Sequence, residues 1–223
     1  MIRIFIGYDN NEKVAFSTLS HSLLKHSTQP ISITPIRLEN IKDIFVRERL
    51  KIQSTEFAFS RFLVPYLCNY SGHAIFMDCD MLARANIAEL WRQRTTKYAV
   101  QCVQHDYTPT STIKFMNQPQ TPYPKKNWSS MMIFNNAKCT ALTPDYVNSA
   151  TGLELHQYKW LESEDLIGNL GVEWNHLVGE YEYNKDAKLV HYTEGGPYFK
   201  EYKNCHYADE WFDMFKDSTQ VDL

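Results

Sequence analysis

Two aspartates that directly follow an apolar run have the types and the spacing for metal chemistry. In "AIFMDCDML", residues 74–82, the run 74–77 predicts a buried strand, and Asp78 and Asp80 come at its end. Residues two apart in an extended segment point to the same side, so both carboxylates can face one site. A divalent cation would offset the cost of burying them and leave positions open for a phosphate. The alternative is a solvated polar turn, because the D-x-D pattern is short.

A histidine late in the chain is the candidate third ligand. His191 ends the apolar run in "KLVHYTEGG", residues 188–196. An imidazole can complete a mixed coordination shell with two carboxylates. Gly195 and Gly196 follow in a loop whose backbone can approach an anion closely. The alternative for His191 is a hydrogen-bonded residue of the core.

Two further segments carry candidate binding residues. Arg61 in "SRFL" lies on an otherwise apolar helix face, where a guanidinium needs a carboxylate or a phosphate as partner. "GYD", which comprises Gly7, Tyr8 and Asp9, ends the first predicted strand and is a candidate contact for a base or a ribose.

The elements that would position these residues alternate between strands and helices. Residues 2–6 predict a strand, Ala15, Leu19 and Leu23 mark one face of a helix, and "ISITPI" alternates as a second strand, an order that favours a parallel α/β sheet. In such a sheet, ligands bind beyond the carboxyl ends of the strands. Further strands are predicted at 74–80, 98–103, 130–136 and 188–192, and further helices at 54–67, 86–94, 143–147 and 207–215. Pro65 should kink the helix at 54–67 or mark its last turns.

Composition and charge bound the class of protein. The 223 residues suffice for one domain, and we expect a single domain over residues 1–223. The net charge of −3 gives no basic surplus, which argues against a nucleic acid or an anionic membrane as partner. Five scattered cysteines without a C-x-x-C pair fit reduced thiols, and no apolar segment is long enough for a signal peptide or a membrane span. We therefore expect a cytoplasmic protein without a transmembrane segment.

Taken in order, these segments resemble the family 8 glycosyltransferases, which include glycogenin and bacterial lipopolysaccharide galactosyltransferases. The resemblance runs from residue 2 to about residue 199. It rests on the order and spacing of six blocks: "IFIGYDNNEKVAFSTLSHSLL", "FAFSRFLVPYL", "AIFMDCDMLARANIAELW", "NWSSMMIFNN", "EDLIGNLGVEWN" and "LVHYTEGGPYF". It implies the GT-A fold, a Rossmann-like, mostly parallel central sheet flanked by helices, and a retaining, metal-dependent hexosyl transfer from a nucleotide-sugar.

The family's metal and donor residues carry over to matching positions. The resemblance implies that Asp78, Asp80 and His191 bind Mn²⁺, although Mg²⁺ also suits such an oxygen-rich site. It implies that a UDP-sugar donor is held by the first-strand segment, the pre-D-x-D arginine, the first D-x-D aspartate and the glycine loop, which here are Gly7, Tyr8, Asp9, Arg61, Asp78 and Gly195. The acceptor would be a carbohydrate or another hydroxyl compound.

The candidate catalytic residues are Glu164, Asp165, His105 and Asp106. Glu164 and Asp165 align with the family's D-Q pair that faces the donor sugar, so one of them would stabilise an oxocarbenium-like centre. Their alternative is a solvated helix start, where acids suit the helix dipole. His105 and Asp106 end the strand at 98–103 and are candidates for binding donor hydroxyls, with ordinary turn polarity as the alternative.

The long polar segment 104–127 is expected to order over donor and acceptor and exclude water. Within or beside it, the aromatic side chains of Tyr107, Tyr123 and Trp128 are candidates for stacking on acceptor sugar rings.

The sequence departs from the family in two places. The family's late block runs H-x-x-G-x-x-K-P-W, whereas "HYTEGGPYF" has no lysine before Lys200, so pyrophosphate contact would fall to Lys200, Lys125 or Lys126. The family's N-S-G element is replaced by Trp128, Ser129 and Ser130.

Two other functions stay open at this point. One is a catalytically inactive GT-A module that binds nucleotide and metal. The other is a haloacid dehalogenase-like phosphatase, whose D-x-D motif begins with a nucleophilic aspartate. That motif usually lies near the N-terminus and continues with Thr or Val, whereas here it begins at residue 78 and continues with Met81 and Leu82.

Overall fold

The structure is a computed structural model that describes residues 1–48, 53, 55–107 and 123–220. The strands in this part are β1 Ile2–Gly7, β2 Ile31–Ile36, β3 His73–Met77, β4 Met81–Ala83, β5 Val100–Cys102, β6 Met131–Asn135, β7 Ile167–Asn169, β8 His176–Leu177 and β9 Leu189–His191. The α-helices are α1 Lys13–His26, α2 Val64–Leu67, α3 Ile87–Arg92, α4 Pro144–Ser149, α5 Gly152–His156 and α6 Ala208–Thr219.

The main sheet has the strand order β2-β1-β3-β6-β5-β7. Strand β6 runs antiparallel to both of its neighbours, and the other neighbouring pairs are parallel. The prediction of a mostly parallel α/β sheet flanked by helices is therefore confirmed. The carboxyl ends of β1, β3, β5 and β7 lie at one edge of the sheet, where β6 begins.

Helices cover the sheet through apolar side chains spaced at helical intervals. Leu19 and Leu23 of α1 are fully buried in the same cluster as Ile4 and Ile6 of β1. A second cluster forms around Trp211 of α6. The sequence predicted both of these helices, and α1 and α6 pack against each other.

A small second sheet, ordered β4-β9-β8, lies beside the main one. Strand β4 pairs antiparallel with β9, and Met81 lies opposite His191. Strand β8 pairs parallel with β9. This sheet joins the segment after the D-x-D motif to the late histidine strand.

The helix predicted over residues 54–67 is wrong in extent. Ser54 lies outside the described residues, and from Thr55 the chain forms turns, then a 3-10 helix over Ser60–Leu63 and only then α2. Pro65 explains the break, because it has no N–H to donate to the Arg61 carbonyl and so suits only the first turn of a helix. Arg61 consequently lies on a 3-10 turn.

Three further expectations concern the long segment, membrane-spanning helices and the cysteines. Most of segment 104–127 lies outside the described residues, so its closure over a donor stays a prediction. No α-helix among residues 1–48, 55–107 and 123–220 is long and apolar enough to cross a bilayer. All five cysteines are free, as the sequence predicted.

Candidate functional site

Polar residues collect at the edge of the main sheet where the parallel strands end. Asp78 directly follows β3, and its backbone N–H donates to the Ser130 carbonyl at 2.9 Å, just before β6 begins. Tyr8 and Asp9 follow β1, and His105 and Asp106 follow β5 by a few residues. The chain therefore brings the ends of three strands to one region.

Asp78, Asp80 and His191 form a buried cluster with one ligand atom each, all within 4.8 Å of one another. The Nε2 atom of His191 lies 3.4 Å from Asp80 Oδ1 and 4.0 Å from Asp78 Oδ2. The β4–β9 pairing brings them together, because it places His191 opposite Met81 and lets Tyr192 N donate to the Asp80 carbonyl at 2.9 Å. Two carboxylates and an imidazole at this spacing fit a divalent cation.

Arg61 is the cationic partner that the buried carboxylates need. Its Nη1 lies 2.7 Å from Asp78 Oδ1, and the guanidinium also donates to the carbonyls of Ala58 and Ser129. Only 6% of the Arg61 side chain is exposed, so the pair is little screened by solvent. The altered "WSS" element thus serves Arg61 and Asp78 through the backbone carbonyls of Ser129 and Ser130, which any residue type would supply.

The end of β1 is occupied by contacts within the chain. Asp9 is 1% exposed, and its carboxylate accepts hydrogen bonds from the backbone N–H groups of Asn11 and Glu56. A Cβ on Gly7 would lie 2.3 Å from the Phe57 ring, so only glycine fits there. Tyr8 is half-buried, with the Arg37 guanidinium 5.6 Å from its ring centroid. Of the three residues, Tyr8 alone has a partly exposed side chain.

Glu12 is a buried carboxyl group that the sequence analysis missed. It directly precedes α1, and its Oε1 accepts a hydrogen bond of 2.5 Å from Tyr198. Burial, and then the charge of Asp80, raise the pKa of Glu12 well above its ordinary value. The sequence signal was only an acid before an apolar helix, which usually indicates a solvated helix start.

His105 lies near the cluster and is held neutral. Its Nδ1 lies 2.8 Å from the Tyr181 hydroxyl, while its buried Nε2 has no hydrogen-bond partner in the described part of the chain. Burial, followed by the proximity of His191 and His176, lowers the pKa of His105 to about 3. Asp106 beside it is exposed. The free Nε2 gives His105 the capacity to contact a bound hydroxyl group.

Glu164 and Asp165 lie elsewhere on the sheet. They precede the amino end of β7 in a 3-10 turn, and both are exposed. The backbone N–H of Asp165 donates a hydrogen bond to the Ser163 hydroxyl. Glu164 accepts a hydrogen bond from Lys125 at 2.6 Å, and this contact lowers the pKa of Glu164. The placement favours the alternative of a solvated helical start.

The remaining predicted contacts differ in burial. Gly195 is buried with φ of +149°, a conformation that favours glycine, and its N–H donates to the Tyr192 carbonyl. Lys126 is 7% exposed, whereas Lys200 is exposed and Lys125 is engaged with Glu164. Among the three lysines, Lys126 is therefore the most enclosed.

The aromatic candidates for acceptor binding contact the same region. Trp128 Nε1 donates to the His105 carbonyl at 2.8 Å, and the Tyr107 hydroxyl accepts from Asn127 at 2.6 Å. Tyr123 has its ring centroid 6.3 Å from that of His156. These contacts order the three rings, and their stacking on a sugar stays a prediction.

Sequence comparison identifies a relative over almost the whole chain. No family model matches. Protein CDI of Arabidopsis thaliana is 46% identical over 224 residues, which cover 96% of this chain and 86% of that protein. The chain belongs to the Protein CDI family.

Solved structures similar to this CDI-family chain are glycosyltransferases. The bifunctional glycosyltransferase WbbM aligns with a TM-score of 0.66 at 13% identity, over 96% of this chain and 49% of its own length. The galactosyltransferase LgtC, solved with donor and acceptor sugar analogues, aligns with a TM-score of 0.62 at 11% identity, over 99% of this chain and 98% of its own. At these identities the likeness shows the fold. The GT-A fold predicted from the resemblance is confirmed for this CDI-family chain.

Proposed function

We propose that this chain is a retaining, metal-dependent glycosyltransferase that moves a hexose from a UDP-sugar to a carbohydrate or another hydroxyl acceptor. The observation that carries the proposal is the buried cluster of Asp78, Asp80 and His191 at the carboxyl edge of a GT-A sheet. Buried carboxylates are retained in a fold only with a compensating partner. Arg61 pairs with Asp78 here, and a dication bound at the cluster would offset the burial of both carboxylates further.

Asp78, Asp80 and His191 would hold Mn²⁺, with Mg²⁺ as the second candidate. The bound cation supplies Lewis-acid stabilisation of the charge that develops on the departing diphosphate. With His191 neutral, as a metal ligand must be, the two aspartates and Arg61 together carry one negative charge. That charge attracts a dication without fully neutralising it, so the loaded site keeps a positive charge for the diphosphate.

The donor-binding residues divide into those that face the ligand and those that position others. Tyr8 would lie against the base, and the backbone of the loop at Gly195 would contact the phosphates. The side chains of Asp9 and Arg61 form contacts within the chain. In this proposal, Asp9 therefore stabilises the loop after β1, and Arg61 orients Asp78. Lys126 is the candidate for the pyrophosphate.

At the donor sugar, the proposal assigns a hydroxyl contact to His105. A neutral imidazole with one nitrogen held by Tyr181 can donate to or accept from a hydroxyl through the other. Asp106 beside it is a second candidate. The exposed turn that holds Glu164 and Asp165 favours a solvated pair over the role at an oxocarbenium-like centre that the resemblance implies for one of them.

The proposal is tested by incubating the purified protein with a panel of UDP-sugars and measuring UDP release, with Mn²⁺ and with EDTA. We expect slow, Mn²⁺-dependent hydrolysis of one donor, accelerated by the right acceptor and lost in Asp80→Asn. Asp217→Asn is the matched control, because Asp217 pairs with His21 and Lys25 in the contact between α1 and α6. Metal-dependent UDP binding without turnover of any donor would instead support the inactive binding module, and release of phosphate from simple phosphate esters would support the phosphatase.

A further inference from the structure

Asn175 lies directly behind the candidate metal ligand His191. It is fully buried, follows a 3-10 helix over Val172–Trp174, and precedes β8. Its Oδ1 lies 3.1 Å from His191 Nδ1. The sequence analysis did not single it out, because a lone Asn in "VEWNHL" belongs to no motif of known spacing.

The other half of the Asn175 amide has partners whose polarity is fixed. Its Nδ2 donates to the Ser130 hydroxyl at 2.8 Å and to the Asn127 carbonyl at 3.3 Å. Ser130 donates its own proton to the same Asn127 carbonyl at 2.6 Å, so it must accept from Asn175. A carbonyl can only accept, and therefore the amide nitrogen must face Asn127 and the amide oxygen must face His191.

The segment that carries the Asn127 carbonyl is itself fixed. Asn127 has a left-handed backbone with φ of +61°, and its side chain donates to Thr193, two residues beyond His191. The opposite orientation of the Asn175 amide would place its oxygen against the Asn127 carbonyl oxygen and leave two amide protons facing the imidazole. Burial makes such unmet polar groups costly.

We propose that the hydrogen-bonded series Asn127–Ser130–Asn175 keeps a proton on Nδ1 of His191. Because Asn175 Oδ1 can only accept, Nδ1–H donates to it, and Nε2, the nitrogen that faces Asp78 and Asp80, is left to bind a cation. Asn175 is thus a positioning residue that orients Nε2 towards the cation site. The inference rests on the proposed metal site for its purpose, but the hydrogen bond from Nδ1–H to Asn175 exists without metal.

The first test is the ¹⁵N chemical shifts of the His191 imidazole in the metal-free protein. His191→Gln assigns the signals by difference. We expect the Nδ1 shift to be that of a protonated nitrogen. A proton on Nε2 alone, or a mixture in which Nδ1 is partly unprotonated, would overturn the proposal. This outcome does not depend on whether the protein transfers a sugar or binds a metal.

The second test compares Asn175→Leu with Asn135→Leu. Asn135 is also a buried Asn, but it lies at the far end of β6 from Ser130, where its amide donates to Tyr98. We expect Asn175→Leu to mix the His191 tautomers and to weaken Mn²⁺ binding, followed by the EPR signal of free Mn²⁺, by about 10- to 100-fold. Asn135→Leu should change neither. Equal Mn²⁺ affinity and an unchanged tautomer in folded Asn175→Leu would overturn the proposal.

Discussion

Two acidic pairs of this chain look alike in sequence and differ in structure. Asp78 and Asp80 are buried, one pairs with Arg61, and both face His191. Glu164 and Asp165 are exposed, and they contact Lys125 and Ser163 in a solvated turn. Both pairs were candidates for chemistry. Burial and contacts with other residues, rather than spacing, therefore distinguish the carboxylates that form a cluster from those that do not.

The largest expected effect is on metal binding at the buried pair. Asp80→Asn keeps the shape of the side chain but removes the charge nearest to His191. We expect Mn²⁺ affinity to fall by more than about 100-fold, beyond the effect typical of an outer-shell change. Asp165→Asn, the same substitution in the exposed pair, should leave the affinity unchanged. Titration with Mn²⁺, followed by the EPR signal of the free ion, gives the affinity of both variants. Equal affinities would show that the buried pair does not bind Mn²⁺ more strongly than the exposed pair.

The next effect is on the free energy of unfolding. It concerns Arg61, which pairs with Asp78, and Lys125, which pairs with Glu164. Arg61→Met leaves Asp78 buried without its guanidinium partner, so we expect the free energy of unfolding to fall by about 3 kcal/mol or more. Urea unfolding followed by circular dichroism gives this value. Glu164→Gln should leave the midpoint unchanged, because solvent screens the exposed pair with Lys125. An Arg61→Met protein as stable as the wild type would show that Asp78 is not held by Arg61.

A smaller effect is the pH dependence of the free energy of unfolding that His156 causes. His156 is half-buried beside Ser129, and desolvation, followed by the charges of Arg61 and Arg47, lowers the pKa of His156 to about 3. The unfolded chain takes up a proton near the ordinary value of 6.5, so stability is present above 6.5 and lost as pH falls towards 3. One such histidine contributes at most about 1.4 kcal/mol per pH unit.

Unfolding free energies measured across this pH range should therefore fall less steeply in His156→Gln than in the wild type. Parallel curves would show that folding does not lower the pKa of His156. Glu164 provides the contrast, because its lowered pKa links it to stability only below its ordinary value of 4.5.

The smallest effect is expected at the exposed pair itself. Glu164→Gln and Asp165→Asn should retain donor turnover within about twofold, since a solvated carboxylate contributes little field at a distance. Rates of UDP release from the preferred donor measure this. If either variant loses turnover while UDP binding persists, the exposed pair acts on the sugar, and burial does not decide which carboxylates take part in transfer.

The sequence was informative where a residue type coincided with a strand end. The apolar run before Asp78 and the strand ending at His191 predicted both elements, and Asp78 lies at the edge of the parallel sheet where ligands bind. His191 joins it through the β4–β9 pairing of the second sheet, which the sequence did not predict. The acid partner of Arg61 followed from the cost of an unpaired guanidinium on an apolar face. The helices α1 and α6 were predictable from their apolar spacing.

Other features depend on packing that no local pattern records. Glu12 reads as a solvated helix start, and its burial against Tyr198 joins residues 186 apart in the chain. Strands β7 and β8 span three and two residues, too few for an alternating pattern to be recognised. Without β7, the sequence offered no means to place Glu164 before its amino end. Asn175 became visible only through its contacts with His191 and Ser130.

In the proposed function, the buried pair and His191 hold a dication that binds a nucleotide diphosphate. Calorimetric titration of UDP into the protein, with and without Mn²⁺ and alongside Asp80→Ala, tests this binding most directly. We expect UDP binding that requires Mn²⁺ and disappears in the variant. UDP binding of equal strength without metal or in Asp80→Ala, or no UDP binding under any condition, would show that the cluster does not hold such a dication.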